Sequence, residues 1–239
     1  MTVPRRPLTV ESLRDPGGDG PADRLAGLPA AARALHRDIL RAFLAAGQAP
    51  HRDHLRSSAS GASTDLAEAW RQLGDADLVH LDADGRAVVA YPFSGHPTGH
   101  TVELPGGPTV HAMCAIDALG IPLMTDRDAV IVSTDPDDGQ PIRIERRGGA
   151  WRWTPEDTAV LLAQSNACGP AADCLCPAIT FHTSRRRAED HLRDRPELTG
   201  VVLDQDQALE VAERSFGPLL RADPHTPSAQ PPRPKENQL

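Results

Sequence analysis

A thiol and a carboxylate stand three residues apart in an otherwise apolar stretch of this sequence, VHAMCAIDALG. If the stretch opens a helix, Cys114 lies in its first turn, where the dipole favours a thiolate. Asp117 then shares its face, with the Cβ atoms about 5–6 Å apart. Because a free thiol is only slightly ionised near neutral pH, the carboxylate could accept its proton and later return it. The residue types alone fit a buried structural cysteine beside a surface aspartate at least as well.

The other three cysteines lie together in NACGPAADCLCPAITFHTS, as Cys168, Cys174 and Cys176. Two cysteines separated by one residue before an apolar strand could direct both sulfurs to one ion, and thiolates select soft metals. The spacing differs from the paired C-x2–4-C that is typical of zinc sites. The cluster therefore indicates a soft-metal site more than a zinc site.

Three histidines form a rival set of ligands, His96, His100 and His111. Pro97 and Gly99 exclude a regular helix between the first two, so we interpret these histidines as polar loop residues. The sequence contains no P-loop, GxGxxG or GxSxG motif. Phosphate-binding loops and serine-hydrolase chemistry therefore have no support.

The composition excludes some classes of function. The chain of 239 residues has a net charge of −8, whereas binding along nucleic acid needs clustered cations. No run approaches the roughly 20 apolar residues of a membrane span, and the N-terminal segment lacks the apolar stretch of a secretory signal. We therefore predict a cytoplasmic protein whose thiols stay reduced and act as ligands or nucleophiles.

The elements that must position these residues divide near Tyr91. Helical patterns in LPAAARALHRDILRAFLAAGQAP, HRDHLRSS and STDLAEAWRQLGDA, then a hairpin turning at Asp84-Gly85, predict a winged-helix-like module. Proline-rich, polar ends predict disordered tails. We predict a tail over 1–27, a winged-helix-like domain over 28–93, a catalytic domain over 94–221 and a second tail over 222–239.

In the second domain, strands and helices follow one another irregularly, which favours an α+β class over repeated βαβ units. We expect strands at HTVELP, TVHAM, AVIVSTD, PIRIERR, AVLLAQ, AITFHTS and TGVVLD, and helices at CAIDALGI, RRRAEDHLRDRPE and DQALEVAERSFGPLLR. The first domain fits either DNA binding or packing. Its third helix offers Asp65, Glu68 and Asp75 against Arg71, which is poor chemistry for facing phosphates.

Several of these stretches together resemble the organomercurial (alkylmercury) lyase family. They are MCAIDALGIP, DAVIVSTDPDDGQPIRI, a cysteine five residues before Phe181, and AEDHLRDRPELTGVVLDQDQALEVAERSFGPLL. The resemblance covers about 34–220 and is strongest from His111 onward. It implies a winged-helix-like domain before a mixed α/β catalytic domain of the alkylmercury lyase type. It also implies that Cys114 and Cys176 are the catalytic cysteines and Asp117 the catalytic aspartate.

The resemblance implies protonolysis of the carbon–mercury bond of RHg⁺. Two thiolates bind the soft ion, and Asp117 passes a thiol proton to carbon, which leaves as a hydrocarbon. No organic cofactor is needed, and Cys114, Asp117 and Cys176 hold the Hg(II) product. Small thiols would carry the organomercurial substrate, and small thiols or a mercuric reductase would take the ion away. Cys168 and Cys174 would either pass Hg(II) outward or bind another ion.

The chain departs from the family pattern in three places. Around the second catalytic cysteine the family often has adjacent thiols and histidines, whereas this chain has Cys174-Leu175-Cys176-Pro177 and the additional Cys168. Asp135 stands where the family has a further, non-catalytic cysteine. His111, Ala112 and Met113 occupy the stretch where an aromatic residue is usual before the first catalytic cysteine, which leaves the shape of the substrate pocket open.

Two other functions stay open on the sequence. One is a winged-helix metal sensor that binds a soft or zinc ion through Cys168, Cys174 and Cys176. The other is a lyase-like protein with different sulfur or metal chemistry, which the trio of Cys114, Asp117 and Cys176 permits.

Overall fold

A computed structural model describes residues 20–57, 63–165 and 175–221 of the chain. The helices in these ranges are α1 (Pro21–Ala26), α2 (Ala30–Ala46), α3 (Ser63–Asp75), α4 (Ala115–Thr125), α5 (Arg185–Arg193) and α6 (Gln205–Phe216). Short 3-10 helices cover Arg52–Ser57 and Cys176–Ala178. The strands are β1 (Val79–Leu81), β2 (Ala87–Ala90), β3 (Phe93–Ser94), β4 (Thr101–Glu103), β5 (Thr109–Ala112), β6 (Ala129–Thr134), β7 (Pro141–Arg147), β8 (Ala150–Thr154), β9 (Ala159–Ser165), β10 (Ile179–His182) and β11 (Leu198–Leu203).

Antiparallel pairing builds two sheets from the strands of the described residues. Eight strands form the main sheet in the order β1-β2-β3-β5-β4-β6-β7-β8, and three form a smaller sheet in the order β10-β9-β11. Alternate residues of β6 are buried, and its Ile131 pairs with the buried Ile144 of β7. Such alternation places one face of an antiparallel sheet on the core. The predicted mixture of helices and strands is confirmed.

Helix α4 lies at the centre of the core. Nearly all of its residues are buried, as expected for a helix that is apolar on every side. It packs most extensively against α6. Gly120 permits this close approach, because a Cβ atom there would lie 2.6 Å from Cγ of Phe216. The helix that carries Cys114 and Asp117 is therefore held by contacts on all sides.

The N-terminal helices and hairpin form where the sequence predicts them, with the segment after α2 as a 3-10 helix. The hairpin is continuous with the main sheet, because Ala90 of β2 pairs with Phe93, which in turn pairs with Ala112 of β5. The ring of Phe93 also stacks on Phe43 of α2, with centroids 5.1 Å apart. The predicted boundary between 93 and 94 thus falls within β3. A winged-helix arrangement stays a prediction.

One prediction is wrong at its edge. The disordered tail over 1–27 includes helix α1, because Leu25 is buried and the Arg24 guanidinium donates to the carbonyl oxygens of Ala76 and Asp77. These contacts join residues some fifty positions apart, so the local composition of the tail does not reveal them. The rest of that tail, and the tail over 222–239, lie outside the described residues.

Two strands were not predicted, β3 and β8. Strand β3 has two residues, too few for an alternation pattern, and β8 is an edge strand with only Trp153 buried. Among the helices of the described ranges, none is long and apolar enough to cross a membrane.

We expect Gly120→Ala to lower the free energy of unfolding by about 1–3 kcal/mol, since the added methyl group meets the Phe216 ring and forces α4 and α6 apart. Urea unfolding measures the loss. Gly99→Ala is the control, because a Cβ atom there meets nothing within 4 Å. Combining Gly120→Ala with Phe216→Leu should recover part of the lost stability. If the losses of the two single variants simply add in the double variant, the proposed clash is contradicted.

Candidate active site

Three elements bring the predicted site residues together. Cys114 follows β5 in an extended conformation and is the N-cap residue of α4, with Asp117 in the first turn. Cys176 begins the 3-10 helix that leads directly into β10. The pairing of β10 with β9 and the burial of α4 fix these two chain segments against each other.

The two sulfurs and the carboxylate converge. The Sγ atoms of Cys114 and Cys176 and a carboxylate oxygen of Asp117 all lie within 4.8 Å of one another. The Cys176 thiol donates to Asp117 Oδ2 at 3.9 Å. All three side chains are buried, with 3% to 6% of each residue exposed. The arrangement has the donor atoms and the spacing to hold one soft ion.

Burial controls the protonation of this cluster. It raises the pKa of Asp117 from 3.8 to about 7, although hydrogen bonds from the Cys114 and Cys176 thiols and the charge of Arg24 act in the opposite direction. The shift follows from the burial of nearly all of α4 around this side chain. A carboxyl group with this pKa exchanges a proton readily near neutral pH.

Cys114 differs from the expectation. The helix dipole was expected to favour its thiolate, but burial raises the pKa of the Cys114 thiol well above its usual value, assisted by Cys176 and Asp117. The desolvation of a fully buried thiol and the nearby acidic groups outweigh the partial charge of a helix end. The site without substrate therefore holds this thiol protonated.

Tyr91 is a site residue that the sequence analysis missed. The side chain is buried, and its hydroxyl has no hydrogen-bond partner among the described residues. Burial raises the pKa of this phenol, and Cys176, Asp77 and Asp117 raise it further, so the hydroxyl lies in the field of the site and of Asp77. The backbone positions it, because Pro92 O accepts from the Met113 amide beside Cys114. The only sequence signal is that Tyr91 is the single tyrosine.

The other candidate residues lie elsewhere. Within the described ranges, two groups of three or more His, Cys, Asp or Glu side chains have metal-binding spacing, and neither includes His96, His100 or His111. His100 is instead bonded through Nδ1 to the Ser133 hydroxyl at 2.9 Å. Cys168 and Cys174 lie outside the described residues.

The predicted third helix, α3, presents little positive charge. Arg71 donates from Nε to Glu68 at 2.9 Å and is also paired with Asp75. A guanidinium occupied by two carboxylates is poorly placed to contact phosphates. The metal-sensor alternative gains no support here.

Comparison with known proteins bears directly on this cluster. The family model described as "MerB: Alkylmercury lyase" matches residues 93–217, which include Cys114, Asp117 and Cys176. The chain belongs to the alkylmercury lyase family. No curated protein matches it.

A solved structure of the family supports the same conclusion. The structure described as the mercury-bound form of MerB2 superposes with a TM-score of 0.69 at 25% sequence identity, covering 83% of this chain and 95% of that one. The alkylmercury lyase fold therefore extends beyond the region matched by the family model.

We expect Asp117→Asn to stabilise the protein at alkaline pH. Below the usual aspartate pKa both folded and unfolded states carry the proton; between that value and about 7 only the folded state does, so wild-type stability falls as pH rises. Above about pH 7 the gain of the variant in free energy of unfolding over wild type levels off, on the order of 4 kcal/mol.

Urea unfolding at pH 5 and pH 8.5 measures this difference. Asp126→Asn, an exposed carboxylate at the other end of α4, serves as the control and should follow the wild-type pH dependence. If the free energies of unfolding of Asp117→Asn and wild type differ by the same amount at both pH values, burial does not raise the pKa of Asp117.

Proposed function

We propose that this chain is an organomercurial lyase that cleaves the carbon–mercury bond by protonolysis. The observation that carries the proposal is the convergence of Cys114, Cys176 and Asp117 within 4.8 Å in a buried site. Membership of the alkylmercury lyase family supports the same substrate class.

The proposed reaction balances as an exchange of two thiol protons. The sulfur of one active-site cysteine attacks the mercury of the substrate R–Hg–SR′ and displaces R′S⁻. The displaced thiolate leaves as R′SH with the proton of that cysteine. The second cysteine then binds mercury, and its proton passes through Asp117 to the carbon. The carbon–mercury bond breaks, RH departs, and Hg(II) stays between the two sulfurs.

Two physical features support this role for the thiolates. Mercury is a very soft ion, so sulfur outcompetes oxygen and nitrogen as a ligand. Two sulfur donors also increase the electron density on the mercury-bound carbon, which makes the carbon easier to protonate. Cys114 and Cys176 lie on different elements, so one ion can receive both sulfurs only in the folded protein.

Asp117 is suited to move the proton. Its pKa of about 7 lets it accept a proton from a thiol as mercury binds and give it up to carbon afterwards. The Cys176 thiol already donates to its Oδ2 atom. We propose that Asp117 also contributes an oxygen ligand to the Hg(II) product.

The reaction needs no organic cofactor. Small thiols are the proposed carriers of the substrate, and small thiols or a mercuric reductase are the proposed acceptors of Hg(II). We propose that Cys168 and Cys174 either pass Hg(II) outward or bind another ion. The module over 28–93 is proposed as a packing domain for the catalytic domain over 94–221, since Tyr91 and Phe93 lie beside the catalytic segments.

Incubation with phenylmercury and excess thiol, followed by measurement of benzene, tests the proposal. Cys114→Ser and Cys176→Ser should each reduce benzene release at least about a hundredfold, because one sulfur is lost from the mercury. Asp117→Asn should still bind the substrate but release benzene about 10²–10⁴-fold more slowly, the usual contribution of a general acid.

Asp126→Asn on the same helix is the matched control and should retain wild-type turnover. If the wild type binds mercury through the two thiols and never yields benzene, the lyase proposal is wrong and a mercury-binding role remains. If it binds no mercury, both fail.

We further propose that Tyr91 is a positioning residue, whose hydroxyl donates to the Cys176 sulfur once that sulfur is a thiolate. Loss of a hydrogen bond to a charged group costs roughly 1.5–3 kcal/mol, so Tyr91→Phe should lower kcat about 10–100-fold with little change in KM. The stability of Tyr91→Phe should match or exceed that of wild type, because the hydroxyl has no partner in the described residues. An unchanged kcat would assign Tyr91 to packing alone.

A further inference from the structure

A second group of metal-ligating side chains lies outside the proposed active site. His182 ends β10, His191 lies in the last turn of α5, and Asp137 lies in the turn between β6 and β7. One ligand atom from each lies within 4.8 Å of the others. The group contains no thiol, and the proposed lyase reaction does not use it.

His182 supplies the decisive feature of this group. Its side chain is fully buried, and Nδ1 has no hydrogen-bond partner among the described residues. This nitrogen faces Asp135 Oδ1 at 3.7 Å and Asp137 Oδ2 at 4.0 Å, and both distances are too long for a hydrogen bond. A buried nitrogen that is directed at two carboxylates but bonded to neither calls for a partner between them.

The opposite side of the same ring can fix the tautomer that binds a metal. His182 Nε2 lies 2.9 Å from the Thr180 hydroxyl oxygen. When Nε2–H donates to this hydroxyl, Nδ1 presents a lone pair toward the carboxylates, an arrangement that a cation satisfies. Outer hydrogen bonds of this kind orient the histidine ligands of metal sites.

The two neighbouring aspartates have different roles. Oδ2 of Asp135 accepts from the amide and the hydroxyl of Thr183, at 2.9 and 3.0 Å, so this buried carboxylate is fixed as a negative charge behind the site. Asp137 has two neighbours. His191 Nδ1 lies 2.9 Å from its Oδ1 atom and 3.0 Å from its Oδ2 atom, and Oδ1 also accepts from Arg195 at 3.0 Å, which leaves Oδ2 with the fewer contacts.

We propose that His182, His191 and Asp137 bind a divalent transition-metal ion of the zinc class. The ligand atoms are His182 Nδ1, His191 Nδ1 and Asp137 Oδ2, and the ion takes the place of the proton on His191 Nδ1. Two imidazoles and one carboxylate suit such borderline ions. A tetrahedral zinc site places its ligand atoms about 3.3–3.5 Å apart. His182 Nδ1 would therefore move closer to Asp137 Oδ2 than its present 4.0 Å, and His191 Nδ1 would move slightly further from it than 3.0 Å.

The surroundings of this group give a metal ion access from solvent and suggest a structural role for it. Asp137 and His191 also line an open groove of about 800 Å³, from which water completes the coordination. The bound ion joins α5, the β6–β7 turn and the end of β10, six residues beyond Cys176. The role that follows is structural, since it ties the strand after the second active-site cysteine to its neighbours.

Zinc titration of the full chain with all four cysteines replaced by serine tests the site without interference from thiols. Isothermal titration calorimetry of this chain, freed of metal with EDTA, should show one equivalent of Zn²⁺. His182→Phe and His191→Gln in the same background should each weaken binding at least about a hundredfold. His54→Gln, an exposed histidine of the 3-10 helix after α2, is the control and should bind like its parent.

If the cysteine-free chain does not fold, Zn²⁺ stoichiometry in the otherwise native chain decides the matter. His182→Phe should then bind one equivalent fewer than wild type, with its benzene release from phenylmercury retained. The proposal is overturned if neither the cysteine-free nor the native chain binds Zn²⁺, or if His182→Phe binds it as tightly as its parent. Benzene release is measured separately, so a failure of the zinc site and a failure of the lyase proposal are distinguishable.

Discussion

The proposed chemistry depends on one carboxyl group that is held out of water beside two thiols. Placing Asp117 in the apolar helix α4 makes its charged form unfavourable, which raises its pKa to about 7. An exposed aspartate would be permanently ionised at neutral pH and could only accept hydrogen bonds. Burial therefore gives this side chain a proton that it can hold and release, and the fold must stabilise the burial.

The surrounding elements provide that stabilisation. Helix α4 is covered by α6, and Gly120 lets the two backbones approach closely at Phe216. The smaller sheet brings Cys176 to the first turn of α4. Neither segment forms the site alone: the start of α4 supplies Cys114 and Asp117, the 3-10 helix before β10 supplies Cys176, and the cluster exists only when the two segments pack together.

The predictable parts of the structure are those with a local signal. Apolar periodicity indicates α2, residue alternation indicates the longer strands, and the family resemblance selects Cys114, Asp117 and Cys176 from sequence. Tyr91 carries no comparable signal, because its relation to the site depends on pairing between β3 and β5. The high pKa of Cys114 was also not predictable, since the helix end is a local feature and desolvation depends on the whole packing.

The continuity of the main sheet across residue 93 has a consequence for how such chains can diverge. A chimaera joined at that point would inherit β5 from one parent and the strand that covers its edge from another. Mismatched partners would leave unpaired backbone groups on an exposed strand, which invites association with other chains. The pairing of β3 with β5 therefore limits which N-terminal segments can be joined to a given catalytic segment without leaving a strand edge unpaired.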